Sequence, residues 1–343
     1  MGISRREALL TGGALFAFSG CVGRSNDSQG LADSHIEVFE PELADFIDPN
    51  ARFEELGAGY TWAEGPTWDR AREALYFTDV PANKAYRWTA SDGVDVFLDP
   101  SGAPVIEPGF REAGANGLWY AGDDKVIICN HGTRSLQQLN IGTGKRTTLI
   151  DQFDGKAFNS PNDLVLGSNG SIFFTDPPYG LEGLDRSPLK QQAANGVYLL
   201  RPDGGVRQLL SDMTYPNGIA LSPDETRLYI SQSDPDAAYI REITLGGDSE
   251  ILADRVLFDA KPYQKDGALG LPDGLVVSSR GAIFATGPGG VFVLAPDGKP
   301  LGRINTGRAT ANCAFGEDGS VLFMTAHDRL LKIETRSRGP QWA

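Results

Sequence analysis

Residues 215–231 read YPNGIALSPDETRLYIS: an Asn-Gly dipeptide, an alternating apolar run, a Ser-Pro-Asp turn and a second apolar run ending in small polar residues. That pattern predicts two antiparallel strands and their connection. Five other stretches align beneath it: AEGPTWDRAREALYFTD from Ala63, ANGLWYAGDDKVIICNH from Ala115, PNDLVLGSNGSIFFTD from Pro161, PDGLVVSSRGAIFATG from Pro272 and NCAFGEDGSVLFMTAH from Asn312. Each copy carries a carboxylate or carboxamide just before its predicted first strand, at Glu64, Asn116, Asn162, Asn217, Asp273 and Asn312, spaced 52, 46, 55, 56 and 39 positions apart. The copies continue into further hairpins, as in GVYLLRPDGGVRQLL from Gly196, so the unit is four short strands. Such a unit, recurring roughly every 40 to 50 residues, predicts an all-β fold: a six-bladed β-propeller with four-stranded antiparallel blades around a central channel. The last copy leaves no room for a fourth strand. An N-terminal strand, from HIEVFEPELADF or from ARFEELGAG, is expected to complete it.

The chain begins with a basic start, an apolar run from Ala8 to Phe18 and a small-residue stretch before Cys21. Residues 1–21 are therefore predicted to be an export signal. Arg5-Arg6 resembles a twin-arginine signal and Phe18-Ser19-Gly20-Cys21 a lipoprotein box, with Cys21 as the lipidated residue. Residues 22–35 turn polar and predict a tether, and residues 36–338 are assigned to the propeller. The expected location is outside the cytoplasm, periplasmic or lipid-anchored at the cell envelope, with the membrane touched only through that lipid. A net charge of -14 argues against nucleic acid as a partner, because an acidic field repels phosphates. Cys129 and Cys313 are expected to be buried thiols rather than a disulfide, and no CxxC or HExxH spacing supports a zinc site.

In a propeller the innermost strand of every blade lines the channel, so the six oxygen-bearing side chains encircle one mouth. Asn-Gly and Asp-Gly are also ordinary turn formers. That role accounts for Asn116, Asn217 and Asp273, and Asn312 is assigned to structure alone, but it explains neither Glu64 nor Asn162-Asp163. Carboxylates and amide oxygens without thiolate or imidazole suit one hard divalent ion, with Ca2+ favoured and Mg2+ or Zn2+ as alternatives.

The phrases AEGPTW, SPNDLV, FTDPPYGL, YPNGIALSPD and LPDGLVV, in this order, resemble the gluconolactonase and regucalcin (senescence marker protein) family of lactonases from about Ala58 to Thr335. The resemblance implies a divalent metal held by Glu64, Asn217 and Asp273, with Asn162 contacting metal or substrate. One departure stands out: the regucalcin branch carries Arg two residues before the third-blade Asn to hold sugar hydroxyls, and this chain has Ser160. Arg134 is the expected substitute.

The expected reaction is hydrolysis of a sugar lactone, with its carbonyl polarised by the metal and with Asp273 taking the proton of the attacking water. Asn116, Asn162, His131, Arg134, Asp176 and Tyr179 are the predicted substrate contacts. The other reading is a non-catalytic propeller lipoprotein that binds a sugar acid or a partner protein at its mouth.

Overall fold

The computed structural model describes residue 31, residues 33–265 and residues 267–342. The predicted export signal, Cys21 and most of the tether lie outside the described residues. The chain forms six antiparallel blades, and the innermost strands of consecutive blades pack against one another around a closed ring. Those strands are Ala63–Asp69, Ala115–Gly122, Leu164–Leu166, Pro216–Leu221, Leu275–Val277 and Thr310–Gly316, in blades 1 to 6.

Both N-terminal candidates are used. Phe53–Ala58 pairs with Arg329–Glu334 and supplies the outer strand of blade 6, whereas His35–Val38 pairs with Pro300–Asn305 and gives blade 5 a fifth strand. Among the described residues the first strand thus begins at His35, the last residue of the span read as tether. Between the two strands the chain makes a short 3-10 turn, Pro41–Asp45, which sinks Leu43 into the core shared by blades 5 and 6.

Six apolar clusters hold the ring together, each between two neighbouring blades. Alternation along a strand explains the arrangement. In Ala74–Asp79, Leu75 and Phe77 face blade 6 while Ala74 and Tyr76 face blade 2, so the strand is buried on both sides. Cys129 and Cys313 sit in two of these clusters as free, buried thiols.

The Asn-Gly and Asp-Gly dipeptides were expected to be turns. Asn116-Gly117 and Asn217-Gly218 instead lie within strands, and the register slips beside them, between Ala115 and Leu118 and between Pro216 and Ile219. Similar slips occur between Glu64 and Thr67 and between Thr310 and Asn312. Bulges of this kind place two residues against one and re-aim the side chain, here at the mouth of the channel. The glycines serve the packing of blade on blade. A Cβ at Gly218 would lie 2.1 Å from the Asp273 carbonyl oxygen, and one at Gly117 would lie 2.7 Å from that of Asn162.

Candidate functional site

At one end of the channel a cavity of about 620 Å³ is floored by Glu64, Asn116, Asn162, Asn217 and Asp273 and walled by Trp62, Tyr179 and Leu271. The five floor residues come from blades 1 to 5 and are the five repeat positions read as functional or ambiguous. Asn312, from blade 6, is absent from the lining. Its Oδ1 accepts the Cys313 N–H at 2.8 Å and its amide favours the charged form of Asp163.

The floor side chains are held from behind. Trp62 Nε1 donates to Glu64 Oε1 at 3.2 Å and the Gly65 N–H donates to Oε2 at 3.2 Å. Asn217 Nδ2 donates to Ser233 Oγ at 3.0 Å, and Ser233 Oγ in turn donates to the Pro272 carbonyl. With its nitrogen so engaged, Asn217 leaves Oδ1 for the cavity. Asn162 makes no side-chain hydrogen bond among the described residues, while its backbone N–H is tied to the Thr175 carbonyl at 2.9 Å. Hydroxyls at the ends of the second strands brace the ring from blade to blade: Thr78 Oγ1 donates to the Asn116 carbonyl at 3.0 Å and Thr175 Oγ1 to that of Asn217 at 2.7 Å.

The electrostatics are those of a crowded anion cluster. Burial first, then the charges of Asp163 and Glu112, pushes Glu64 up to about 8, against the opposing Trp62 and Gly65 hydrogen bonds. Burial, then Glu64 and Asp163, raises Asp273 well above the carboxylate range, although the nearby Asn217 amide favours its charged form. Asp163 rises to about 7, mainly by burial, although the Leu164 and Ile219 N–H groups and Asn312 stabilise its charged form. Among the described residues neither Glu64 nor Asp273 forms an ion pair with a lysine or arginine.

A divalent cation fits this floor. Two carboxylates and two amides, from Glu64, Asp273, Asn162 and Asn217, make an all-oxygen donor set whose mutual repulsion a hard cation would relieve. With only two carboxylates in it, the set differs from the acidic or His/Cys clusters of many metal sites, and no group of three or more His, Cys, Asp or Glu is poised for a metal among the described residues.

Several expected wall residues lie elsewhere. Both Asp176 oxygens accept backbone N–H groups, from Asn159 and Ser160 at 2.8 Å each, and the residue is fully buried away from the cavity. Arg134 spends its guanidinium on the carbonyls of Phe158 at 2.5 Å, Asn159 at 3.1 Å and Leu189 at 2.8 Å, so it is a loop brace and not a clamp on the cavity. His131 is buried behind the wall, with Nε2 3.5 Å from Asn116 Nδ2, and burial lowers its pKa to about 3, which keeps the ring neutral. Tyr179 does line the cavity, stacked on Tyr215 with centroids 5.7 Å apart.

Trp62, Arg111, Glu112 and Ser233 also line the cavity and were not singled out from the sequence. Ser233 escaped because the second strand of blade 4 runs on to Asp234, past the predicted end at Ser231. Arg111 and Glu112 lie on the connection between blades 1 and 2, which has no counterpart in the repeat.

A family profile described as "SMP-30/Gluconolactonase/LRE-like region" matches residues 62–328. The chain belongs to this family. It is 39% identical over 319 residues to a gluconolactonase of Zymomonas mobilis, covering 92% of this chain and 90% of that one. Two solved members superpose on it. One is a putative gluconolactonase, with TM-score 0.77, 32% identity and coverage of 89% and 99% of the two chains. The other is a gluconolactonase from Xanthomonas campestris, with TM-score 0.76, 30% identity and coverage of 89% and 96%. The matched span runs from Trp62, in the cavity wall, to Asp328, so it contains all five floor residues.

Proposed function

We propose that the protein is a lactonase that opens a sugar lactone, in the manner of the gluconolactonases it resembles. The observation that carries the reading is the convergence of Glu64, buried, and Asp273, half-buried, on the floor of an open cavity, neither with a cationic side-chain partner among the described residues. A mouth that only binds a sugar acid or a partner chain has no need of two carboxylates set to hold a hard cation in its floor. The non-catalytic reading is therefore not favoured.

Glu64, Asn217, Asp273 and Asn162 would hold one divalent ion, calcium by preference. When bound it supplies Lewis-acid polarisation of the lactone carbonyl. Asp273, on the cavity floor beside the ion, would take the proton of the attacking water, since a bound cation offsets the repulsion that otherwise keeps this carboxyl protonated. The ester C–O bond then breaks, the proton passes to the departing oxygen, and the open hydroxy acid leaves. Tyr179, with Asn116 and Asn162, shapes the pocket around the ring. We also place the reaction outside the cytoplasm, on the pattern of residues 1–21. No helix among the described residues is long and apolar enough to cross a membrane.

The test is hydrolysis of a lactone panel with and without chelator, in wild type, Glu64→Gln and Asp273→Asn. Chelation and either substitution should abolish most turnover while the far-UV spectrum stays that of the folded β protein. Unchanged turnover in metal-free Asp273→Asn would refute the reading.

A further inference from the structure

The cavity wall above the floor is made by two loops joined edge to edge. One is the connection from blade 1 to blade 2, and the other follows Asp176. The Arg111 and Glu112 N–H groups point to the Gly180 carbonyl at 2.9 and 3.4 Å, the Glu182 N–H donates to the Gly109 carbonyl at 2.8 Å, and Phe110 bridges Leu181. This small sheet fixes Tyr179 on one loop and Arg111 and Glu112 on the other, all facing the same cavity.

It also closes position 160 off from the cavity. Ser160 is fully buried, donating its hydroxyl to the Pro177 carbonyl at 2.6 Å and accepting the Gly180 N–H at 2.9 Å. A Cβ at Gly180 would lie 2.8 Å from that of Ser160, so position 160 is sealed behind the second loop. With Arg134 committed to backbone carbonyls, Arg111 is the arginine that lines the cavity among the described residues. Its guanidinium donates from Nη2 to Glu112 Oε1, and its side chain remains 49% exposed against 18% for Glu112.

We propose that Arg111, paired with Glu112, is the specificity residue that reads the hydroxyl groups of a polyhydroxylated lactone. A hydroxyl both donates and accepts, and the pair offers both halves of that exchange. Arg111 has guanidinium N–H groups beyond the one spent on Glu112, and the Glu112 carboxylate has lone pairs beyond the one it uses. A fixed pair of this kind recognises adjacent hydroxyls and is left unpaired by a ring that lacks them. Arg111 takes no part in breaking the ester, so it acts on affinity for the substrate and not on the chemical step. Glu112 also stands 4.0 Å from the buried His131 Nδ1 through Oε2, but Arg111 is half exposed and an ion pair between sequence neighbours at a surface adds little stability, so folding alone gives weak reason for the guanidinium to stand on the wall.

The inference rests on the lactonase reading, and its test separates the two. D-glucono-1,5-lactone and δ-valerolactone share a six-membered ester ring, but only the first carries hydroxyls. Arg111→Met should raise KM for gluconolactone about tenfold or more, with kcat nearly unchanged, and leave δ-valerolactone kinetics as in wild type. Arg111→Lys should recover part of the loss, and Glu112→Gln should shift the same KM in the same direction. Calorimetric binding of D-gluconate to the metal-loaded protein should weaken in Arg111→Met by a factor similar to the KM change. Equal losses on both lactones, or none on either, would overturn the assignment while leaving the hydrolytic reading intact. A wild-type protein that opens neither lactone, yet loses gluconate affinity in Arg111→Met, would sink the hydrolytic reading and keep the assignment. Absence of both hydrolysis and gluconate binding in wild type would end both.

Discussion

Asn162 and Asn312 occupy the same repeat position in blades 3 and 6, yet the structure gives them opposite duties, and alanine at each should separate the duties cleanly. Asn312 accepts the Cys313 N–H at 2.8 Å and its amide favours the charged form of Asp163, with only 7% of its surface exposed. Its removal leaves the buried Cys313 N–H without that acceptor and takes a favourable amide from a buried carboxyl, at a cost of about 1–3 kcal/mol. For a domain of this size that is a fall in Tm of roughly 2–6 °C. Asn162 makes no side-chain hydrogen bond among the described residues and faces the cavity, so its truncation should leave Tm almost unmoved. It should instead lower kcat/KM for a lactone about tenfold, equivalent to ~1.4 kcal/mol of lost transition-state contact. Differential scanning calorimetry and initial rates on the two variants make the comparison. Equal rate losses, or a larger melting shift in Asn162→Ala, would show that the ring is a packing device and that the cavity floor has been misread.

Two further outcomes follow from the same geometry. Because Glu64 is raised to about 8 while an unfolded glutamate ionises near 4, the folded protein holds the extra proton between those values. Stability of the chelated protein should therefore fall as pH rises from 4 to 8, added divalent cation should restore it, and Glu64→Gln should flatten part of the slope in melting scans. Gly218→Ala drives a methyl to 2.1 Å from the Asp273 carbonyl oxygen and must part blades 4 and 5, so it should cost about 1–3 kcal/mol in denaturant titrations and weaken metal binding. A variant as stable as wild type would mean that the ring is not packed as tightly as described.

The architecture was legible because one phrase recurs, and six copies of a strand-turn-strand unit admit few closed arrangements. The floor was legible for the same reason: Glu64, Asn116, Asn162, Asn217 and Asp273 share a register that points them to one axis. The walls were not. Asp176 was taken for a substrate contact from its place at a strand end, but it belongs to a second repeat, the Phe-Thr-Asp shared with Asp79. Asp79 accepts the N–H groups of Thr61 at 2.8 Å and Trp62 at 3.2 Å just as Asp176 accepts those of Asn159 and Ser160. Repetition here marks scaffolding, since each carboxylate pins the chain as it enters an inner strand. Arg134 was misjudged for a different reason: a guanidinium can satisfy several backbone carbonyls at once, and sequence does not tell which loop will come within its reach. Arg111 and Glu112 had no repeat to betray them, and only the close pairing of two loops distant in sequence brings them to the cavity.

The two N-terminal strands have a consequence for how the molecule comes into being. His35 pairs with Asn305 and Phe53 with Ile333, so two strands synthesised early find their partners only when the last described strands are complete. Until then blade 6 lacks its outer strand and the ring has no means of closing. Contacts of such long sequence separation make for slow, late closure. The mature ring gains from the same arrangement, because it cannot spring open between its first and last blades without stripping a strand out of a finished sheet. Resistance to unfolding then resides in the seam more than in any single blade.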